Sequence, residues 1–183
     1  TLVKGNGYRM PTEAQWEFAC RAGTTTKYWI GEKNEELLQA GWLPANSGAR
    51  TRTVGQLEAN PFGLFDTHGN VWEWCADWCA DDYYAKSPIN DPVGPSSSLG
   101  RVARGGSYNI RPEMARSAYR ARDYPGARNQ CLGFRVALPV EAVTQATQGR
   151  AARPADSSDG ATAWPSAPPP PAVVPFDIQQ ART

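Results

Sequence analysis

Thiols, carboxylates and guanidinium groups are the side chains of this chain that could do chemistry, and their spacing says which kind. Cys75 and Cys79 stand four residues apart in a stretch where Glu73 and Asp77 are set among Trp72, Trp74 and Trp78. On a helix two such cysteines share a face and could chelate a metal, whereas on a strand they stand far apart. His68 is the only histidine, so no second donor pair completes a zinc set and a metal is not expected at these thiols. His68 sits between Asp66 and Gly69 with no nucleophile beside it, and it reads as a turn residue facing solvent. Eight arginines between Arg101 and Arg135 admit two readings. One is a groove for an anion or acidic peptide, because guanidinium binds carboxylates and phosphates bidentately. The other is internal pairing with Glu13, Glu17, Glu73, Asp77 and backbone carbonyls. The balance of 19 basic against 18 acidic residues favours pairing, with Arg111 and Arg122, beside Pro112 and Asp123, as the exposed exceptions.

These residues need elements to hold them. Trp72 and Trp74 alternate with Val71 and Glu73, the period of a strand whose faces differ. The indoles are expected on the buried face and Glu73 on the other. Further strands are expected at Val102–Ser107 and Leu132–Ala137. The clearest helix runs through Pro11–Gly23: Thr12 and Gln15 make a capping box, Gly23 sits where a C-terminal glycine belongs, and Trp16, Ala19 and Cys20 form one apolar face. A second short helix is expected at Glu35–Ala40. Gly, Pro, Asn and Ser then recur every few residues, which makes many turns and short strands and, with the helices, an α+β domain. Trp78, Tyr83 and Tyr84 could form an aromatic ligand wall, with core packing as the default.

At 183 residues the chain holds one core. A net charge of +1 gives no electrostatic reason to expect nucleic acid or an anionic membrane as partner. No apolar run approaches the roughly 20 residues of a membrane span. The opening residues Thr1–Gly7 read like the middle of a domain, so a fragment is expected. From Leu138 the composition changes: residues 138–183 hold half of the 16 prolines, including Pro168–Pro171. We expect residues 1–137 to form the domain and 138–183 a disordered, Pro/Ala-rich linker towards another module, starting near Val173–Phe176. The four cysteines, Cys20, Cys75, Cys79 and Cys131, match no disulfide scaffold; buried free thiols are expected, with one disulfide left open.

Four motifs in order carry a resemblance. Tyr8–Glu17 (Y-R-M-P-T-E-A-Q-W-E), Asn60–Asp66 followed by Gly69–Trp74, Arg104–Tyr108 (R-G-G-S-Y) and Leu132–Val136 (L-G-F-R-V) are similar to signatures of the formylglycine-generating enzyme, or sulfatase-modifying factor, family. The resemblance covers residues 8–137 and implies a C-type-lectin-like fold with little regular secondary structure. Active members oxidise a sulfatase cysteine to formylglycine with oxygen and copper(I). Others bind ligands, or sit beside bacterial protein kinases and other modules. Membership alone therefore does not assign chemistry.

The resemblance places the two copper-binding cysteines of active members at Ile110 and Ala115, and neither side chain can ligate soft copper(I). Copper and the oxidase reaction are therefore not expected. The expected role is a ligand-binding or accessory domain of a multidomain bacterial protein, with a peptide or protein ligand and other modules of the same polypeptide as partners. Its groove would be Ser107, Tyr108, Arg111 and Arg122. Ser107 matches the family's catalytic serine, and a Gly-Gly-Ser strand start can also be kept for backbone geometry. Cys20 matches a cysteine that bridges, in some relatives, to the place held here by Val136. The resemblance further implies calcium at Asp66, Gly69, Val71 and Glu73, two side chains and two backbone carbonyls, in keeping with an ion that wants six to eight oxygens. The alternative is that Asp66 caps a turn while Glu73 pairs with an arginine. Asn46 and Gly48 would be remnants of a second calcium site.

Overall fold

The computed structural model describes residues 7–138; the expected linker and the Val173–Phe176 patch lie outside the described residues. Helix α1, Glu13–Arg21, begins at the expected capping box: Thr12 accepts from Gln15 N–H, and the Gln15 side chain accepts from Thr12 N–H at 3.2 Å. Its left-handed C-cap is Ala22, φ 49°, with Gly23 following at φ 89°. Three short segments come next: α2 (Asn34–Leu37), β1 (Gly41–Trp42) and α3 (Pro44–Ser47). Thus the second helix is one turn long and starts one residue earlier than the pattern predicts.

Strand β2, His68–Gly69, pairs in parallel with β1. β3, Trp72–Trp78, is the longest strand and runs four residues past the predicted end. After α4 (Tyr83–Lys86) come β4 (Arg101–Arg104), a 3-10 turn (Pro112–Ala115), β5 (Ala121–Asp123) and β6 (Leu132–Phe134). The sheet order is β5-β4-β3-β6, with β6 parallel to β3 and the other pairs antiparallel. Both C-terminal strands end earlier than predicted: Gly105 and Gly106 take φ of 90° and 82° and turn β4 out of the sheet. Arg9 and Ala137 exchange backbone hydrogen bonds, closing the domain at its ends.

The alternation along β3 is as predicted, but its direction is reversed. Glu73, Cys75 and Asp77 are buried, while Trp72, Trp74, Ala76 and Trp78 are half-buried on the other face. The buried face meets α1, where Trp16, Cys20, Cys75, Cys79 and Val102 form one core cluster. The carboxylates go inside because partners wait for them there. Trp16 Nε1 donates to Glu73 at 2.7 Å, and Arg135 binds both Glu73 oxygens at 2.5 and 2.7 Å. Asp77 accepts from Glu13 N–H at 2.8 Å, which satisfies the first turn of α1. Behind them Glu13 is held by Arg120 at 2.6 and 2.9 Å, and fully buried Arg104 reaches Glu13 and Glu17. Internal pairing therefore accounts for Arg104, Arg120 and Arg135, while Arg111 and Arg122 are exposed as predicted.

All four cysteines are free thiols, and all but Cys131 are buried. The aromatics expected in the core lie near the surface instead: Trp78 is covered by Arg101 at 4.1 Å, Arg120 lies over Tyr84 at 5.0 Å, and Tyr83 stacks edge-on against Tyr84. No helix among the described residues is long and apolar enough to cross a membrane.

Candidate functional site

The segment after Gly105-Gly106 builds the site. A Cβ on Gly106 would meet Ala115 Cβ and Ile110 Cδ1, each at 2.9 Å, so glycine is what lets these two side chains close over the backbone. Positions 110 and 115 are thus brought together, as the resemblance implies for a two-thiol metal site. Here both are hydrocarbon and close on Gly106. Ala115 is fully buried with Tyr28, Leu37 and Leu43, and Ile110 packs against that cluster.

Next to this pair lies a cleft of about 310 Å³ on the tryptophan face of the sheet. Ala103 pairs with Trp74 on one side and Ala121 on the other, while Trp72 pairs with Leu132, so small and large apolar side chains share this face. Trp72, Ala103, Ile110, Ala121 and Leu132 line the cleft with apolar surface; Asn109, Asp123, Asn129 and Cys131 supply its polar groups, while Arg122 borders it from β5 with its side chain on the other face, opposite Val102 and towards Asp81.

Of the four predicted groove residues, only Arg122 borders this cleft. Arg111 is exposed away from it. Ser107 is fully buried and Tyr108 nearly so, and both act from behind. Ser107 Oγ–H donates to Asn109 Oδ1 at 2.8 Å, Asn109 Nδ2 donates to Cys131 Sγ at 3.2 Å, and the Cys131 thiol points at the Tyr108 hydroxyl at 3.6 Å. Sequence reasoning missed Asn109 and Cys131. The available signals were an amide two residues after Ser107 and a thiol directly before the Leu132-Gly133-Phe134-Arg135 strand.

His68 also departs from expectation: it is fully buried. Its Nδ1 lies 2.8 Å from Ala115 O, which therefore accepts the ring proton, while Nε2 accepts from Trp29 N–H at 3.2 Å. Burial holds its pKa down to about 4, so the ring is neutral. Cys20 lies 4.0 Å from both ring nitrogens and 3.8 Å from Ser117 Oγ, yet burial pushes this thiol up to about 11. With both His68 nitrogens committed to the backbone, this Cys–His–Ser group has no base to activate a nucleophile.

The residues implied for calcium give a divided answer. Asp66 has φ 55°, accepts from Gly55 N–H through Oδ2 at 2.7 Å, and keeps Oδ1 buried with no hydrogen-bond partner among the described residues. Burial raises its pKa, so a nearby cation would relieve it. Glu73 instead has both oxygens engaged by Arg135 and Trp16. Asp66 fits an ion, whereas Glu73 would have to release its guanidinium to join. Asn46 is engaged in a local clamp, accepting from Leu43 N–H and donating to the Leu38 and Gly41 carbonyls. No group of three or more His, Cys, Asp or Glu placed to hold a metal occurs among the described residues.

Known proteins agree with this architecture. A family model described as a sulfatase-modifying factor enzyme 1-like domain matches residues 2–140. The chain is 42% identical over 138 residues to serine/threonine-protein kinase pkn1 of Chlamydia pneumoniae, covering 73% of this chain and 21% of the kinase. It is 38% identical over 148 residues to the formylglycine-generating enzyme of Streptomyces coelicolor, covering 72% of this chain and 46% of that protein. Among solved structures, Treponema denticola variable protein 1 superposes with TM-score 0.68 at 41% identity, over 72% of this chain and 47% of that one. PvdO from Pseudomonas aeruginosa gives 0.63 at 31%, over 70% and 51%. The chain thus spans between a fifth and a half of the length of these proteins. With its four motifs, its α+β fold and this match, the chain belongs to the sulfatase-modifying factor enzyme 1-like family.

Proposed function

We propose that this chain is a ligand-binding or accessory domain of a multidomain bacterial protein that does not perform copper-dependent cysteine oxidation. The observation that supports the reading is the convergence of Ile110 and Ala115 on Gly106, which puts hydrocarbon at the place implied for two copper thiolates. The match to about a fifth of a bacterial protein kinase supports an accessory role beside other modules. The ligand surface is the cleft floored by Trp72 and Leu132, and a peptide segment or small molecule is the class it fits. The test incubates the protein with copper(I), oxygen and a Cys-x-Pro-x-Arg peptide and follows peptide mass. The mass stays unchanged beside a converting control enzyme; thiol-to-aldehyde conversion would overturn the reading.

One observation favours a second reading, a formylglycine-generating oxidase with ligands supplied elsewhere: Cys131 lines the same cleft as Ile110. Under it, Cys131→Ser abolishes conversion; under the first there is none to abolish.

A structural calcium is proposed at Asp66, with Glu73 and the Gly69 and Val71 carbonyls completing its oxygens, and the unpartnered Asp66 Oδ1 supports it. A strong chelator then lowers Tm by several degrees, and Asp66→Ala removes that response. An unchanged Tm contradicts calcium at this loop.

A further inference from the structure

The polar rim of the cleft on the tryptophan face ends on a charge that no ion pair neutralises. That rim is a chain of hydrogen bonds between neutral groups. Ser107 Oγ–H donates to Asn109, and Asn109 Nδ2 donates to Cys131 Sγ. Cys131 N–H donates to Asn129 Oδ1 at 3.0 Å, and Asn129 Nδ2 donates to Asp123 Oδ2 at 3.5 Å. Asp123 Oδ1 accepts from Tyr124 N–H at 2.8 Å. Both donors are neutral, so the carboxylate keeps its charge, and a bond of 3.5 Å is long enough to yield to a stronger donor. Register puts Asp123 on the tryptophan face, two residues beyond Ala121, which pairs with Ala103 as Ala103 pairs with Trp74. Arg101, the cross-strand partner of Asp123, shares that face but is engaged elsewhere: its guanidinium lies over the Trp78 ring at 4.1 Å and donates to Ala76 O. Arg122 points to the opposite face, towards Asp81. Among the described residues, therefore, Asp123 has no ion-pair partner.

We propose that this cleft takes a small amphiphilic amine, an apolar body of residue size ending in an ammonium, and that Asp123 is the residue that selects the ammonium. The inference rests on the ligand-binding reading of the cleft. A volume of about 310 Å³ stands at the low end of ligand pockets, which suits one ring or branched chain against Trp72, Ile110 and Leu132. Ala103 and Ala121 put only methyl groups on the floor beside Asp123, which leaves room for a short aliphatic stem. An ammonium brings three donors and a full positive charge, so an amine gains over its neutral isostere in a direction that a carboxylate reverses.

The test uses the 183-residue chain and three matched probes: 3-phenylpropylamine, 3-phenylpropan-1-ol and 3-phenylpropanoate. Binding is read by NMR at the Trp72 indole N–H and the Leu132 methyl groups. The amine binds about fivefold tighter than the alcohol, the gain expected for one half-exposed charge-assisted pair. The acid binds weakest. Asp123→Asn keeps an acceptor for Tyr124 N–H; it brings the amine down to the alcohol and does not move the alcohol. Equal binding of amine and alcohol at Trp72 overturns the charge selection while leaving the cleft as a binding site. Tightest binding by the acid, or an amine preference that survives Asp123→Asn, overturns the role of Asp123. If no probe moves Trp72 or Leu132, the ligand-binding reading of the cleft falls with it.

Discussion

The two faces of β3 come from one heptapeptide stretch and behave as opposites. Towards α1, Glu73, Cys75 and Asp77 are buried among Trp16, Glu13 and the guanidiniums of Arg104, Arg120 and Arg135. On the other side Trp72, Trp74 and Trp78 are half-covered, and a cleft opens beside Trp72. Side-chain polarity did not choose the buried face. A carboxylate can be buried when a guanidinium and an indole N–H are already placed to receive it, and an indole can stay at a surface that has a pocket to offer. The sealed face is where stability should reside, and the open face is where a ligand should act.

The largest way to break this contrast is Arg104→Ala. Arg104 is wholly buried and serves Glu13 and Glu17, so its loss leaves buried carboxylate charge short of a partner and lowers unfolding free energy by roughly 3–5 kcal/mol in urea titrations. A loss below about 1 kcal/mol would mean that the face is held by its apolar cluster alone.

A pH series sharpens the contrast next. His68 has its folded pKa lowered to about 4 from 6.5, so its contribution is present above pH 6.5 and is lost as pH falls through 4. That loss is worth about 3 kcal/mol at most. Asp77, whose pKa burial raises to about 6 from 3.8, works in the opposite sense: its contribution is full below 3.8 and is lost as pH rises through 6. The two partly cancel between pH 4 and 6. Asp77→Asn should therefore lose stability more steeply on acidification than the wild type, and parallel curves would refute the assignment. The smallest effect belongs to the open face. Trp74→Thr keeps β propensity and removes only half-covered surface, so it should cost about 1 kcal/mol; a loss as large as that of Arg104→Ala would erase the distinction between the faces.

What was legible in the sequence was local. The capping box of α1 involves residues three apart, and it stands as written. The period of β3 was visible because a strand's alternation needs no partner. Its direction was hidden, since Glu73 is received by Arg135, 62 residues away, and by Trp16, 57 residues away. His68 was misread for the same reason: its ring is held by Ala115 and Trp29, at separations of 47 and 39 residues. The family motifs made the convergence of Ile110 and Ala115 readable, because the resemblance carries long-range geometry that a single sequence does not display. Asn109 and Cys131 lay outside those motifs, and only their meeting across 22 residues shows them as one group.

The central claim is that positions 110 and 115 converge on Gly106 as hydrocarbon where a copper-binding thiol pair would stand. It is tested most directly by titrating the chain with copper(I) against a colorimetric chelator, beside the Ile110→Cys/Ala115→Cys double variant, both in a Cys131→Ala background. The account predicts that the double variant takes up one additional copper equivalent and the parent none. A parent that holds a full equivalent by itself would contradict it.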